Sequence, residues 1–131
     1  MDAIIKGNNL GISRKASIEI CSFIRNKTTE NAKKILEKVI QKKEAIPFKK
    51  FTGNIAHKRG NIAAGRYPIK ASQTILNLIK GVEANAKNKG MSSNLIIDHI
   101  SASQGESQAR YGRKVGKQAK RTHIKIIVKE R

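Results

Sequence analysis

Cysteine is nearly absent from this sequence: Cys21 is the only one. No internal disulfide can form, and a cysteine-rich zinc site is excluded. A reducing cytosol fits that usage. Tryptophan is missing altogether, and the aromatic residues are only Phe23, Phe48, Phe51, Tyr67 and Tyr111. That scarcity argues against the exposed stacking platforms of RNA-recognition-motif or single-strand-binding sheets. No apolar run approaches the roughly 20 residues that a bilayer span needs. The start, Met1-Asp2-Ala3-Ile4-Ile5-Lys6, is too short and too polar in its flanks for a signal peptide, so a soluble, cytoplasmic chain is expected. Acidic residues are also few: nine Asp and Glu stand against 28 Lys and Arg, a net charge of +19.

A chain of 131 residues is expected to form a single domain, 1–131. So large a positive imbalance makes a protein repel itself unless a polyanion joins it. Nucleic acid is the commonest such partner, and a membrane surface is the other. The charge is unevenly spread. Residues 41–70 and 104–131 each carry net +7, residues 1–40 carry +4 and residues 71–103 only +1. The two richest segments are also those with the weakest hydrophobic periodicity. The pattern is that of an ordinary folded body with two basic extensions, aimed at phosphates rather than at bases.

Within the body, Ala3–Lys6 reads as a short strand. Ser13 is placed as an N-cap, with Ala16, Ile20, Phe23 and Ile24 along one face of the helix that follows. A second helix opens near Thr28 or Thr29, with Glu30 at its positive end and the stripe Ala32, Ile35, Leu36, Val39, Ile40. A third opens at Pro68, carries Ala71, Ile75, Leu78, Ile79, Val82 and Ala86, and stops at Gly90. Strands follow at Leu95–Ser103 and Thr122–Lys129. The stretch between them, 104–121, is much longer than an ordinary hairpin connection. It is glycine-rich and basic, with only Ala109, Tyr111, Val115 and Ala119 to bury, so it forms no core of its own. The insertion at 41–67 has the same character. Both are expected to be largely disordered until RNA orders them.

Catalytic constellations are missing. Gly112-Arg113-Lys114-Val115-Gly116-Lys117-Gln118 has one residue too few for a P-loop and lacks the hydroxyl after its lysine. His99 and His123 lie in strands that can pair, but they have no acidic or thiolate partners for a metal. Glu30–Lys34 and Glu83–Lys87 read as helix-surface pairs, and Glu19 sits four residues after Lys15. None makes an isolated acid pair of the kind general acid–base catalysis uses. Cys21 falls on the core stripe beside Ile20 and Ile24 as a buried thiol, and Ser13 lacks the setting of a nucleophile. No cofactor, no metal and no enzymatic activity are implied.

Several stretches together resemble a known family. Leu10-Gly11-Ile12-Ser13-Arg14-Lys15-Ala16, Ala32–Leu36, Val82-Glu83-Ala84-Asn85-Ala86 with Lys89-Gly90-Met91, Gly112-Arg113, and Lys120-Arg121-Thr122-His123-Ile124 are similar to the universal large-subunit ribosomal protein twenty-two family. Its eukaryotic members are called large-subunit protein seventeen. The insertion, with Pro47-Phe48-Lys49-Lys50-Phe51, His57-Lys58-Arg59-Gly60 and Gly65-Arg66-Tyr67-Pro68, resembles the archaeal and eukaryotic branch. Against that branch, a reduced N-terminal leader is expected. The chain also departs from it in a shorter tip, where Gln104, Glu106, Ser107 and Gln108 replace basic residues.

The resemblance implies an α+β fold: three helices packed on a small antiparallel three-stranded sheet, with a long extended β-hairpin. The hairpin would span about 95–129, with its tip at 104–121. It implies a structural constituent of the large ribosomal subunit whose partners are large-subunit rRNA, neighbouring ribosomal proteins and the nascent polypeptide in the exit tunnel. The residues expected to meet rRNA are Arg14, Lys15, Lys49, Lys50, His57, Lys58, Arg59, Arg66, Arg110, Arg113, Lys114, Lys117, Lys120 and Arg121. Two rivals stay open: a basic nucleic-acid-binding regulator or architectural protein outside the ribosome, and an enzyme acting on RNA.

Overall fold

The computed structural model describes residues 1–131, apart from the side chain of Lys114. Three antiparallel strands form the central sheet: β1 (Asp2–Leu10), β4 (Leu95–Gln104) and β7 (Thr122–Glu130), in the order β1-β7-β4. Helices α1 (Arg14–Ile24) and α3 (Ile69–Asn88) cover one face, and α2 (Thr29–Ile40) packs on α3. The architecture is the expected α+β one. The alternation of β7 explains its place at the centre: Thr122, Ile124, Ile126 and Val128 are buried under the helices, while Lys125 and Lys129 face solvent. β1 is longer than the short strand expected at Ala3–Lys6, with a register shift between Gly7 and Leu10.

Both sheet edges are blunted by side chains. Arg25 donates to the Ile100 carbonyl at 3.1 Å, Asn85 to Ile4 at 3.2 Å and Lys89 to Asp2 at 2.8 Å. α3 ends as its sequence predicts. Gly90 takes φ +73°, its N–H reaches the Lys87 carbonyl, and the Met91 N–H reaches Ala86. That pattern is a Schellman motif closed by buried Met91. The other end differs by one position. Pro68 precedes the helix as its cap, and its carbonyl accepts from the Ser72 N–H at 2.9 Å.

The core face of α1 is rotated from the expected stripe. Ser17, Ile20, Cys21 and Ile24 are buried, whereas Ala16 and Phe23 are only partly so. Ser17 can face the core because its hydroxyl donates to the Ser13 carbonyl at 2.7 Å. In α3, Leu76 joins the core, and Leu78 sits at its margin against Gly7. Glu83 pairs not with Lys87 but with Lys33 of α2, at 2.8 Å, tying the two helices together. Glu30–Lys34 is not among the ion pairs of the described residues.

The insertion at 41–67 differs most from expectation, because it does enter the core. Ile46 is fully buried, Phe48 and Ala64 nearly so, and β2 (Ile46–Pro47) pairs with β3 (Gly65–Arg66). Ile46 and Phe48 each contribute about 1.5–3 kcal/mol when withdrawn from water, enough to anchor a loop. The hairpin is also more ordered in its backbone than a bare 104–121 connection. Gly105 N–H reaches the Arg121 carbonyl, β5 (Gln108–Ala109) pairs with β6 (Gln118–Ala119), and the Arg110 N–H reaches Lys117 at 2.9 Å. Among the described residues, 105–107 and 120–121 separate this short pair from the central sheet, and the turn from Tyr111 to Gly116 lies beyond it. Thus the weakly cationic Gln104–Gln108 side is where the arm pairs and fastens. Asn9 accepts from the Glu106 N–H through its side-chain oxygen at 3.2 Å and donates its own N–H to His123 Nδ1 at 3.0 Å.

Candidate nucleic-acid interface

The two extensions are far apart in sequence, yet the fold brings their roots together. Strand β7 returns from the arm beside the start of α1, and the insertion lies against α1 from the other side. Three contiguous grooves result, and Ser13 and Lys120 line all of them. The first, about 510 Å³, runs between the N-terminal ends of α1 and α3 and the arm, with Lys70, Arg110, Lys120 and Arg121 on its walls. The second, about 610 Å³, lies under the insertion, with Lys15, Lys50, Arg66 and Lys120 around Phe48, Phe51, Ile55 and Tyr67. The third, about 260 Å³, holds Arg14, Lys15, Gln104, Ser107, Lys120 and Arg121. Among the described residues, no acidic side chain lines any of the three. The positive ends of two helices add to the same sign of potential.

A buried acid behind this surface shapes it. Glu19, 3% exposed, accepts three backbone N–H groups of the insertion: Lys49 at 3.1 Å, Lys50 at 2.8 Å and Phe51 at 2.9 Å. The expected relation to Lys15 is therefore not its role. Its carboxylate oxygens are taken up by these amides, and the loop backbone is pinned so that Phe51 faces Arg14, Lys15 and Lys50. Their cationic groups lie 5.9, 5.6 and 5.6 Å from the ring centre. Lys58 lies similarly over Tyr67, at 5.7 Å.

Of the residues expected to meet rRNA, the fold gathers Arg14, Lys15, Lys50, Arg66, Arg110, Lys120 and Arg121 on this surface. Lys49 points to a different hollow, beside Glu19, Ser22 and Phe23. His57 and Arg59 are exposed away from the grooves; His57 forms an isolated bridge with Ala64. Arg113 is exposed in the turn at the end of the arm and Lys117 is exposed just after it, and the side chain of Lys114 lies outside the described residues. Lys70, Phe51 and Tyr67 were not anticipated. Lys70 had a signal, since it stands in the first turn after Pro68. The two aromatics had none, because sequence distance hides their meeting. His99 faces Ile127 and His123 faces Ser103, so the two histidines are not cross-strand neighbours. No group of three or more His, Cys, Asp or Glu among the described residues is placed to hold a metal ion. No described helix is long and apolar enough to cross a membrane.

Burial pushes the Cys21 thiol from its ordinary 9.0 up to about 12. Its proton is held by the apolar surroundings, which makes it a core residue rather than a nucleophile. On the opposite side of the molecule, the hydrogen bond and charge of Asp98 raise the Lys129 ammonium. The Ser92 backbone N–H lowers the Glu130 carboxyl.

An α+β body presenting one continuous cationic surface and a projecting basic arm is the class that fold and site define. The chain belongs to the family described as ribosomal protein L22p/L17e, whose pattern matches residues 5–129. Relatives are named large ribosomal subunit protein uL22. The one from Methanoculleus marisnigri is 44% identical, with 95% of this chain and 87% of the relative covered. That from Staphylothermus marinus is 41% identical over 93% and 85%. That from Methanocaldococcus jannaschii is 36% identical over 95% and 85%. The likeness to archaeal members agrees with the branch indicated by the insertion.

Proposed function

We propose that this chain, acting as one unit over residues 1–131, is a structural, non-enzymatic constituent of the large ribosomal subunit in the cytoplasm that binds and organises rRNA. The supporting observation is the convergence of Arg14, Lys15, Lys50, Arg66, Lys70, Arg110, Lys120 and Arg121 on one surface free of described acids. Phosphates drawn to that surface release their counterions and relieve the repulsion among the cations. Arginines there can fork two phosphate oxygens, which fixes orientation as well as charge.

The arm beyond Gln104 and Thr122 carries Arg113, Lys114 and Lys117 away from the body. At about 3.3 Å per residue, the six residues from Gly105 to Arg110 reach roughly 20 Å before the turn. In this reading it lines the nascent-peptide exit tunnel, where the turn from Tyr111 to Gly116 faces both rRNA and nascent polypeptide, and the body touches neighbouring ribosomal proteins.

Tagged protein expressed in cells should sediment with large subunits and stay bound through a moderate salt wash. Its persistent absence from them overturns the reading and favours a regulator outside the ribosome. A photo-crosslinker at Tyr111 should capture nascent chains of intermediate length in stalled ribosomes; capture of none refutes the tunnel placement.

A further inference from the structure

The scarcity of aromatic residues points toward phosphates rather than bases, yet Phe48, Phe51 and Tyr67, three of the five, line a single groove. The two neighbouring grooves have no aromatic residue among those lining them. We propose that this groove under the insertion seats an unpaired RNA nucleotide, its base against Phe51 and Tyr67 and its flanking phosphates on Lys15, Lys50, Arg66 and Lys120. A nucleotide joins a flat apolar ring to an anion, and this groove offers both counterparts side by side. A purely phosphate-binding groove has no use for the rings. An A-form duplex cannot fill it either, because its bases stay stacked inside a shape read through phosphates and 2′-hydroxyls.

The rings are held before any ligand arrives. The Phe51 backbone N–H is fixed by Glu19 at 2.9 Å, and the cations around its ring restrain the side chain. Lys58 restrains Tyr67. Little ordering is then needed on binding, which favours recognition of a single base. With a volume of about 610 Å³ the groove is roomy enough for one nucleotide. The inference rests on the RNA-binding part of the proposed function and is independent of the ribosomal location.

The test uses the full chain with two probes of equal phosphate number, a single-stranded adenosine oligoribonucleotide and a blunt-ended RNA duplex of two separate strands. Fluorescence anisotropy gives affinity and aromatic NMR reports the rings. The single strand should move the ring protons of Phe51 and Tyr67 upfield. Phe51→Leu and Tyr67→Leu should each weaken single-strand binding about tenfold and change duplex binding by less than about twofold, the signature of a lost base stack. Equal losses on both probes, or rings of the unaltered chain that do not respond to the single strand, overturn the proposal. The ring shifts need no variant, so a substitution that fails to fold leaves the test intact. Ring shifts in a chain that never joins large subunits uphold the groove while the ribosomal reading falls. Silent rings in a chain that does join them have the opposite meaning.

Discussion

Removing the Glu19 carboxylate should release the insertion from the body. The side chain is buried and accepts three N–H groups, two of them (Lys50 and Phe51) on Oε1 and one (Lys49) on Oε2. Hydrogen bonds to a charged acceptor contribute about 1.5–3 kcal/mol each, though three on one group do not add fully. Glu19→Gln keeps an acceptor for Lys50 and Phe51 but sets an amide NH₂ against the Lys49 N–H. One bond is lost and two lose their charge assistance, a cost of about 2–3 kcal/mol. Glu19→Ala removes every acceptor and leaves a void, with a cost of about 3–5 kcal/mol, comparable to breaking a buried ion pair. Against a total stability of about 5–15 kcal/mol, the second change approaches the limit of what the fold tolerates.

Urea denaturation followed by circular dichroism measures the stability change, and amide hydrogen exchange shows where it falls. The amides of Lys49, Lys50 and Phe51 should lose protection before those of α3 do, because the pinned loop opens locally. The reasoning fails if Glu19→Ala costs less than about 0.5 kcal/mol, the range of an ordinary surface change, with those three amides exchanging no faster than before.

Lys120→Ala and Arg121→Ala should each lower the salt dependence of RNA binding by roughly one counterion while leaving the melting curve almost unchanged; an unaltered slope in a titration series removes these side chains from the interface. Gly105→Ala should loosen the root of the arm, since a Cβ there would lie 2.9 Å from Asn9 Oδ1 and 3.0 Å from the Arg121 backbone. The expected cost is about 1–3 kcal/mol by denaturation, and a neutral outcome contradicts the packing. The raised thiol of Cys21 should resist disulfide reagents at pH 8 except at the rate of unfolding. Because its pKa is raised in the folded state, the stability it contributes is complete below pH 9.0 and is lost as pH rises toward about 12; labelling faster than unfolding refutes its burial.

Some of this organisation is legible in the sequence and some is not, for physical reasons. α3 and β7 were readable because their apolar periods of 3.6 and 2 are unbroken, and Gly90 supplies the positive φ that closes the helix. The core face of α1 is hidden in the sequence because two polar residues are buried with their hydrogen bonds satisfied. Ser17 is served by a carbonyl one turn back, and Glu19 by amides about thirty residues ahead. Hydropathy assigns both to solvent. The insertion reads as coreless because its anchors, Ile46 in β2 and Phe48 just after it, are only two residues apart, too few to leave a period. The cations themselves were legible as runs, but their convergence depends on how β7 returns past Ser13.

The convergence changes what the charge means. Two segments, each of net +7, would repel less if the fold held them on opposite sides of the body. Instead Lys50 and Arg66 of one segment line the same groove as Lys120 of the other. The nearby acid, Glu19, directs its charge into the loop backbone rather than toward those cations. Such a surface works against the stability of the isolated chain, and folding alone does not account for its being assembled. A partner that supplies phosphates to all three grooves at once does account for it. The Glu19 and Lys120 substitutions separate the two contributions: the first alters the shape that receives the partner, the second the charge that attracts it.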